Sequence, residues 1–424
     1  MLLIFVGVQA QYTVKDSKNT PLLAKDDTSN RIQVYLVYGT GNVEISYTSN
    51  STNHQWYRYK TKALEEEPIS SVQHGTTSTV QAVEEDYGYF VKEDGVLSRY
   101  VWIIDYSKYE ANLSSVEVDD RGDPCRAVYL KGGGNMPSLS YRTPSGVAVE
   151  IAREFTVSYT TMEQREGSKY FVETPVSVTV ADPFNTALDA PFCDTSFELK
   201  GDRFAEHFGV GHTIRSEQYQ AVALVVDTDT EITSYEGTNV LQEEESYSAP
   251  VEVSFKAYGN APVASLFRWS IYDQEDREMT NPLISYTGEE VDYTFNRAGT
   301  FLVTLSVTDR TSQCNIEIDP IVIRVRESHL DVPNIFTPGT SPGVNDEFKV
   351  VYKSLISFKG WIFNRWGVEV FHWTDPSQGW DGKKGGKYVS PGVYFYVIEA
   401  KGSDDYNYKK TGHINIIRPK NAKE

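Results

Sequence analysis

An alternation of period two runs through most of this chain and limits what it can build. Phe301, Val303, Leu305 and Val307 alternate with Leu302, Thr304, Ser306 and Thr308, which places one set on a single face of an extended strand. Val251, Val253, Phe255 and Ala257 repeat the pattern, as do Val176, Val178 and Val180. Residues 89–91, the turn Glu93-Asp94-Gly95 and residues 97–104 read as a hairpin. No stretch of 12 or more residues sustains a helical period. Many short strands separated by turn signals predict an all-β chain of packed sandwiches.

The 424 residues suffice for several such domains at roughly 100–200 residues each. Turn-rich stretches place the boundaries. After an apolar start at residues 1–10, the expected units are 11–105, 106–182, 183–327 and 328–424. The second closes on PVSVTVADP, and the last opens near DVPNIFTPGTSPG, which holds three Pro and two Gly. Trp56, Tyr159 and Trp269 are the expected inner aromatics of the first three units, which read as tandem β-sandwiches of one kind. Residues 1–8 are apolar and lead to Gln9-Ala10-Gln11, the pattern of a short export signal cleaved before Gln11. No other apolar run approaches the ~20 residues of a membrane helix, so no transmembrane helix is expected.

Charge divides the chain in the same place. Residues 328–424 hold 13 Lys and Arg against 10 Asp and Glu, so the net charge of −19 splits into about +3 there and −22 over residues 1–327. An acidic bulk excludes a nucleic-acid partner, whose phosphates need clustered cations. The three cysteines, Cys125, Cys193 and Cys314, lack the spacing of a zinc ribbon or a redox pair. Cys193 precedes the strand-like SFELKG and Cys314 begins CNIEI, so a Cys193–Cys314 bridge within one sandwich is expected, with Cys125 left over.

Motifs for chemistry are weak. None of the seven His stands in a metal-binding spacing, and no nucleophile elbow occurs. Asp227, Asp229 and Glu231 alternate as calcium ligands do, but a solvated strand end is the better reading. Gly132-Gly133-Gly134 lacks a phosphate-binding spacing and reads as a loop, and Gly382 to Lys387 as a hairpin. Arg121-Gly122-Asp123 is a three-residue match to an adhesion tripeptide, too short to carry a function. No catalytic residue, metal site or cofactor is expected.

Two segments are similar to known families. APVEVSF, FRWSIYD and YTFNRAGTFLVTLSVTD, between Pro250 and Val325, resemble a PKD-like, immunoglobulin-type sandwich in which Trp269 fills the space between sheets. The resemblance implies a spacer or adhesive unit without catalysis. VPNIFTPG, NDEFKV, WIFNRWGVEVF, GWDGK, GVYFYVIEA and KKTGHINIIR stand in order over residues 331–418. They resemble the gliding-motility-associated C-terminal domain, the type B sorting domain of the type IX secretion system. The residues that carry the match are Asn334, Phe336, Thr337, Pro338, Asn345, Asp346 and Phe348, with Asn364, Arg365, Trp366 and Gly367. Trp380, Asp381, Gly382, Gly392, Tyr394 and Gly412 complete it. One departure is the loop Gly339-Thr340-Ser341-Pro342-Gly343, where the family has Asn-Gly-Asp-Gly. The resemblance implies a Bacteroidota-like source, recognition by the outer-membrane translocon, an outer-membrane β-barrel partner, and delivery to the cell surface or beyond. Within this domain Arg365 is expected to pack on Trp366 or Trp380 and to pair with Asp381.

The sequence thus reads as a non-enzymatic exported surface protein with an adhesive or structural role and a surface ligand. An accessory or signalling component of the secretion apparatus is the alternative, and a carbohydrate-binding or carbohydrate-active protein a weaker one.

Overall fold

A computed structural model describes residues 11–49, 51–235, 247–340 and 343–418. The expected export signal at residues 1–10 and the loop residues Ser341 and Pro342 lie outside these. Among the described residues the chain is β-strand throughout, with one α-helix of five residues, Arg203–His207. None of its helices is long and apolar enough to cross a membrane. The described residues fall into two compact units. The first runs to Glu163 and includes Val172–Ala223; the second joins Gln164–Phe171 to the residues from Leu224 onward.

The first unit begins with a sandwich of four and six strands. Its four-stranded sheet runs in the order Gln11–Asp16, Val43–Thr48, Thr77–Val80 and Val72–His74. The six-stranded sheet runs Leu22–Asp27, Ile32–Val37, Val96–Asp105, Tyr87–Glu93, His54–Tyr59 and Glu67–Ile69. The hairpin read between residues 89 and 104 is present, with Asp94 and Gly95 both at positive φ, as a two-residue turn that follows strand twist requires. Trp56 is fully buried between the sheets and its indole N–H donates to Ser78 at 2.7 Å.

The central strand departs from simple alternation. Tyr100 to Asp105 are all buried, the mark of a strand covered on both faces. On one face lie Val101 and Ile103 with Trp56, Tyr89 and Val91. On the other, Tyr100, Trp102 and Ile104 with Ile32, Val34 and Leu36 pack beneath Leu139, Tyr141, Ile151, Phe204 and Ala205. The cover comes from the hairpin Ser140–Arg142 and Ala148–Glu150 and from the helix Arg203–His207, all beyond the boundary expected at residue 105. The outer face of the first sandwich is therefore buried by segments that follow it in the chain.

An ion pair pins this cover. Asp202 is fully buried and Arg153 nearly so, with Nη1 2.7 Å from Oδ2. Oδ1 accepts from the Tyr106 hydroxyl at 2.7 Å and caps the helix through the amides of Phe204 and Ala205. Arg153 Nη2 donates to the carbonyls of Pro137 and Tyr109.

The second sandwich extends further than expected. One sheet is Asn112–Asp119, Ala127–Asn135 and Thr186–Asp189; the other is Phe171–Val180, Phe155–Gln164, Glu198–Lys200 and Thr213–Arg215. Tyr159 and Phe197 pack in its core at 5.2 Å. Strands after residue 183 complete it, so the boundary expected at 182/183 moves to Ala223/Leu224. Asp182-Pro183 is an internal turn, held by the Phe184 amide on the Asp182 carboxylate and the Thr186 hydroxyl on its carbonyl. Gly132-Gly133-Gly134 is strand rather than loop. A Cβ on Gly132 would lie 2.3 Å from the Pro183 carbonyl oxygen, and Gly134 sits at φ +133° with the Asn112 carbonyl against it, where the register shifts by a bulge.

Cys125, expected to be left over, is disulfide-bonded. Cys193 belongs to the second sandwich and Cys314 to the third, and Cys193 is a buried free thiol. The expected Cys193–Cys314 bridge is therefore not formed.

The second unit holds the third sandwich, the segment expected to be PKD-like. Val226–Tyr235, Val251–Gly259 and Glu290–Phe295 form one sheet. Asn315–Arg326, Gly299–Asp309, Ala264–Asp273 and Ile284–Thr287 form most of the other, which Tyr247–Ser248 edges. Trp269 is buried against Phe255 at 5.6 Å and donates to the Gly288 carbonyl. Asp227, weighed above as a calcium ligand, is engaged by Lys169 at 2.9 Å and Gln164 at 2.7 Å.

Two expectations follow. Arg153→Ala leaves Asp202 buried and unpaired and should cost about 3–5 kcal/mol, read as an earlier urea transition of the first unit. Burial pushes the Cys193 thiol up to about 11, so it should resist iodoacetamide at pH 8 in the native chain and react after denaturation, as peptide mass mapping would reveal.

Candidate functional site

The last domain is built on a five-stranded sheet in the order Ile335–Phe336, Asn407–Ile416, Gly392–Gly402, Leu355–Phe363 and Glu369–Trp373. The first pair is parallel and the rest antiparallel. Its core gathers on Trp380, which is fully buried. Around the indole stand Phe336 at 5.6 Å, Tyr394 at 5.7 Å and Phe371 at 6.1 Å. The indole N–H donates to the Lys383 carbonyl at 2.9 Å. Phe348 and Trp380 exchange backbone hydrogen bonds of 2.9 and 3.0 Å, a one-residue bridge.

Most residues singled out from the sequence serve this centre. The Asn334 carbonyl accepts from the Asn415 amide at 2.8 Å and anchors the edge strand. The Thr337 amide donates to the Asn345 carbonyl at 2.8 Å. Asp346 accepts from the amides of Gly339 at 3.2 Å and Gly343 at 2.7 Å, both upstream of it. Pro338 rests on Gly382, where a Cβ would come 2.8 Å from its ring and φ is +77°, a position only glycine fills without strain. Tyr394 donates to the Ser390 carbonyl at 3.0 Å. Gly392 opens its strand, and Gly412 lies beneath the Tyr396 ring.

Asn364 shapes the turn to the next strand, its side chain accepting from the amides of Trp366 and Val368, both at 3.0 Å. Gly367 has the positive φ expected of it. Arg365 packs on Trp366 with 4.6 Å from guanidinium to ring centroid, as read from the sequence. It does not pair with Asp381. That carboxylate is taken by Lys383, through the amide at 3.0 Å and the ammonium at 3.1 Å, and Trp380 is too deep to receive Arg365.

A feature that sequence reasoning missed is the junction. The strand Asn315–Arg326 ends and His329–Asp331 begins with only Glu327 and Ser328 between. Ser328 is buried and bonds Asp404 through both amide (2.8 Å) and hydroxyl (2.7 Å), while its carbonyl accepts from Tyr408 at 2.7 Å. The only sequence signal was a polar turn, Asp404-Asp405-Tyr406, beginning 76 residues away.

This ordered set of residues around one tryptophan, at the end of the described chain, matches the family described as CHU_C type IX secretion signal domain over residues 330–416. Residues 330–416 are a type IX secretion signal domain. The signal domain indicates export to the cell surface or extracellular space. Residues 117–216 match a fibronectin type III domain, the second sandwich described above. No curated protein matches the chain. Among solved structures, it is similar to a tetra-tandem repeat in the extending region of a large adhesion protein. That similarity has 12% identity and a TM-score of 0.25, covering 96% of this chain and 99% of that one. It is also similar to the fibronectin(III)-like modules of Clostridium thermocellum CbhA, with 11% identity and a TM-score of 0.17, over 45% of this chain and 95% of that one.

Elsewhere the polar candidates have structural work. Arg121 bonds Asp119 and Asn185 and stacks on Tyr129, while Asp123 caps the amide of Cys125. A cleft of about 620 Å³ on the second sandwich holds Glu173, Asp194 and Glu198. Glu198 is paired with Arg215 at 3.1 Å and Asp194 accepts from the Ala221 amide at 2.9 Å. Among the described residues no group of three or more His, Cys, Asp or Glu is placed to hold a metal.

Truncating the buried indole, Trp380→Ala, should cost about 3–5 kcal/mol, whereas Trp366→Ala, at an exposed turn, should stay within about 0.5 kcal/mol. Guanidinium unfolding of the full chain, followed at the transition that Trp380→Ala moves, separates the two.

Proposed function

We propose that the chain is a non-enzymatic exported protein. Its three N-terminal sandwiches form a binding or structural surface module, and its signal domain passes the chain to the type IX outer-membrane translocon, with an outer-membrane β-barrel protein as a further partner. The observation that carries this reading is the match of residues 330–416 to the secretion signal on residues that build one compact core around Trp380. A fibronectin-type sandwich and a secretion signal are non-catalytic kinds of domain, and two of the three carboxylates in a polar cleft of about 620 Å³ on the second sandwich are engaged by neighbouring groups. The acidity of residues 1–327 suits a module that stays soluble outside the cell.

Deleting residues 331–424 should leave the protein in the periplasm, as fractionation of the cells would reveal. Delivery of the truncated chain to the surface at the normal level would refute the sorting role.

A further inference from the structure

The three-stranded sheet of the third sandwich has Val226–Tyr235 at its edge, beside Val251–Gly259. An edge strand presents a row of unpaired amides and carbonyls, and proteins ordinarily blunt it with lysine, proline, a bulge or a short length. Other edges of this chain carry those devices: Pro175 interrupts Phe171–Val180, and Lys25 with a bulge interrupts Leu22–Asp27. Val226–Tyr235 holds neither Lys nor Pro, and its bulge falls after Ile232. Residues 226–232 run in unbroken register along Gly259 to Val253 and, among the described residues, have no strand on their other side. Their length gives roughly 23 Å of open edge at about 3.3 Å per residue.

The outward side chains of this edge carry one sign. Val251, Val253, Phe255 and Ala257 are buried, so the residues that alternate with them face outward. On the edge strand the register makes these Asp227, Asp229 and Glu231, opposite Tyr258, Lys256 and Ser254. Lys256 is held from its other side by Glu290 at 3.3 Å, and Asp292 extends the row of Glu231. Asp229 and Glu231 are exposed and stand in no ion pair among the described residues. The first of the three carboxylates is already met. Lys169 places its ammonium 3.1 and 2.9 Å from the two oxygens of Asp227, Gln164 donates to the same group at 2.7 Å, and Tyr170 stands edge-on to Tyr258 at 5.0 Å. A cation from a separate segment thus shows what this row takes up, and the next two carboxylates are left without one.

The same pattern decides against a second copy as the occupant. An added strand must keep the buried face buried, because a slip of one residue turns every side chain to the other side. Two copies of this edge paired antiparallel in such a register set carboxylate against carboxylate, and like charges directly opposite are destabilising. Opposite charges at those positions are favourable. Main-chain pairing to an exposed edge, with alternate side chains giving the choice of partner, is an established way for a sheet to bind an extended segment.

We propose that residues 226–232 receive an extended, basic segment of another protein as an added strand, with Lys or Arg at alternate positions against Asp229 and Glu231. The proposal goes beyond the export reading and does not depend on it, since the binding edge belongs to the third sandwich whichever route delivers the chain.

The test uses the purified full chain and a fluorescent peptide of four Lys-Thr repeats, with binding followed by anisotropy at low salt. The peptide should bind and should slow amide hydrogen exchange in residues 226–232. Asp229→Asn combined with Glu231→Gln keeps the shape of two exposed side chains, so thermal unfolding should stay near that of the wild type. Binding to this variant should be about fivefold weaker, the effect of losing two cross-strand charge pairs. Two further peptides separate strand pairing from the attraction of any polycation to an acidic chain. One has the same composition with its lysines adjacent, Lys-Lys-Thr-Thr twice; the other has every backbone amide methylated. Both should bind about fivefold more weakly than the alternating peptide. Failure of the alternating peptide to bind, equal binding of either further peptide, or unchanged binding to the double variant would each overturn the proposal. A concentration-dependent dimer of the chain in which residues 226–232 gain protection would assign the edge to a second copy and overturn it as well. The fate of the 331–424 deletion bears on the sorting reading alone.

Discussion

Asp202 and Arg153 keep full charges where water does not reach, and the arrangement of the first unit depends on how those charges are satisfied. Desolvating such a pair costs several kcal/mol per ion and is tolerated only when the remaining donors and acceptors are also met. Here one carboxylate oxygen holds the guanidinium while the other holds a tyrosine hydroxyl and two amides of a helix. The guanidinium in turn gathers the carbonyls of Pro137 and Tyr109. These groups belong to the segments that cover the outer face of the six-stranded sheet, so the ion pair fixes the cover over Ile32, Leu36, Trp102 and Ile104. A five-residue helix has little stability of its own; its cap and its packing on this sheet hold it in place.

Local pattern made the strands legible, but it did not show which strands belong together. The alternation at residues 301–307 and the turn at Asp94-Gly95 are short-range signals and came through directly. The run from Tyr100 to Ile104 carries an unbroken apolar signal that reading it as a hairpin arm did not use, and the residues that cover its second face, 139–151 and 203–208, lie too far along the chain for any local signal. Asp182-Pro183 has the same turn chemistry whether it ends a domain or bends a strand pair, so the boundary was set too early. Gly132 to Gly134 carried a loop signature because glycine reports a need for space, and here the space is taken by the backbone of neighbouring segments. At Asp381 the expected partner, Arg365, lost to Lys383 two residues away, which needs no long-range closure to reach the carboxylate.

Within the signal domain, the residues that carry the family resemblance divide by what they do. Phe336, Phe348, Trp380 and Tyr394 face inward and hold the sandwich together; Asn364, Asp346 and Gly382 set the loops that frame it. Arg365 and Trp366 belong to neither group. They are stacked on each other at a turn and leave the core untouched. A motif read as one string of letters therefore contains two physical requirements, a stable scaffold and an exposed tip, which substitutions can separate.

The junction at Ser328 has a mechanical consequence. A linker of many residues can pay out length before it transmits load, because its backbone dihedrals are free to straighten. Here two residues separate the last strand of the third sandwich from the first strand of the signal domain, and one of them is bonded through its amide, carbonyl and hydroxyl. Tension on the signal domain has almost no slack to take up. It passes directly into the strand Asn315–Arg326, which lies hydrogen-bonded along Gly299–Asp309, and so into the sheet built around Trp269. The joint works as a rigid coupling, so a pull on the signal domain is a pull on the third sandwich.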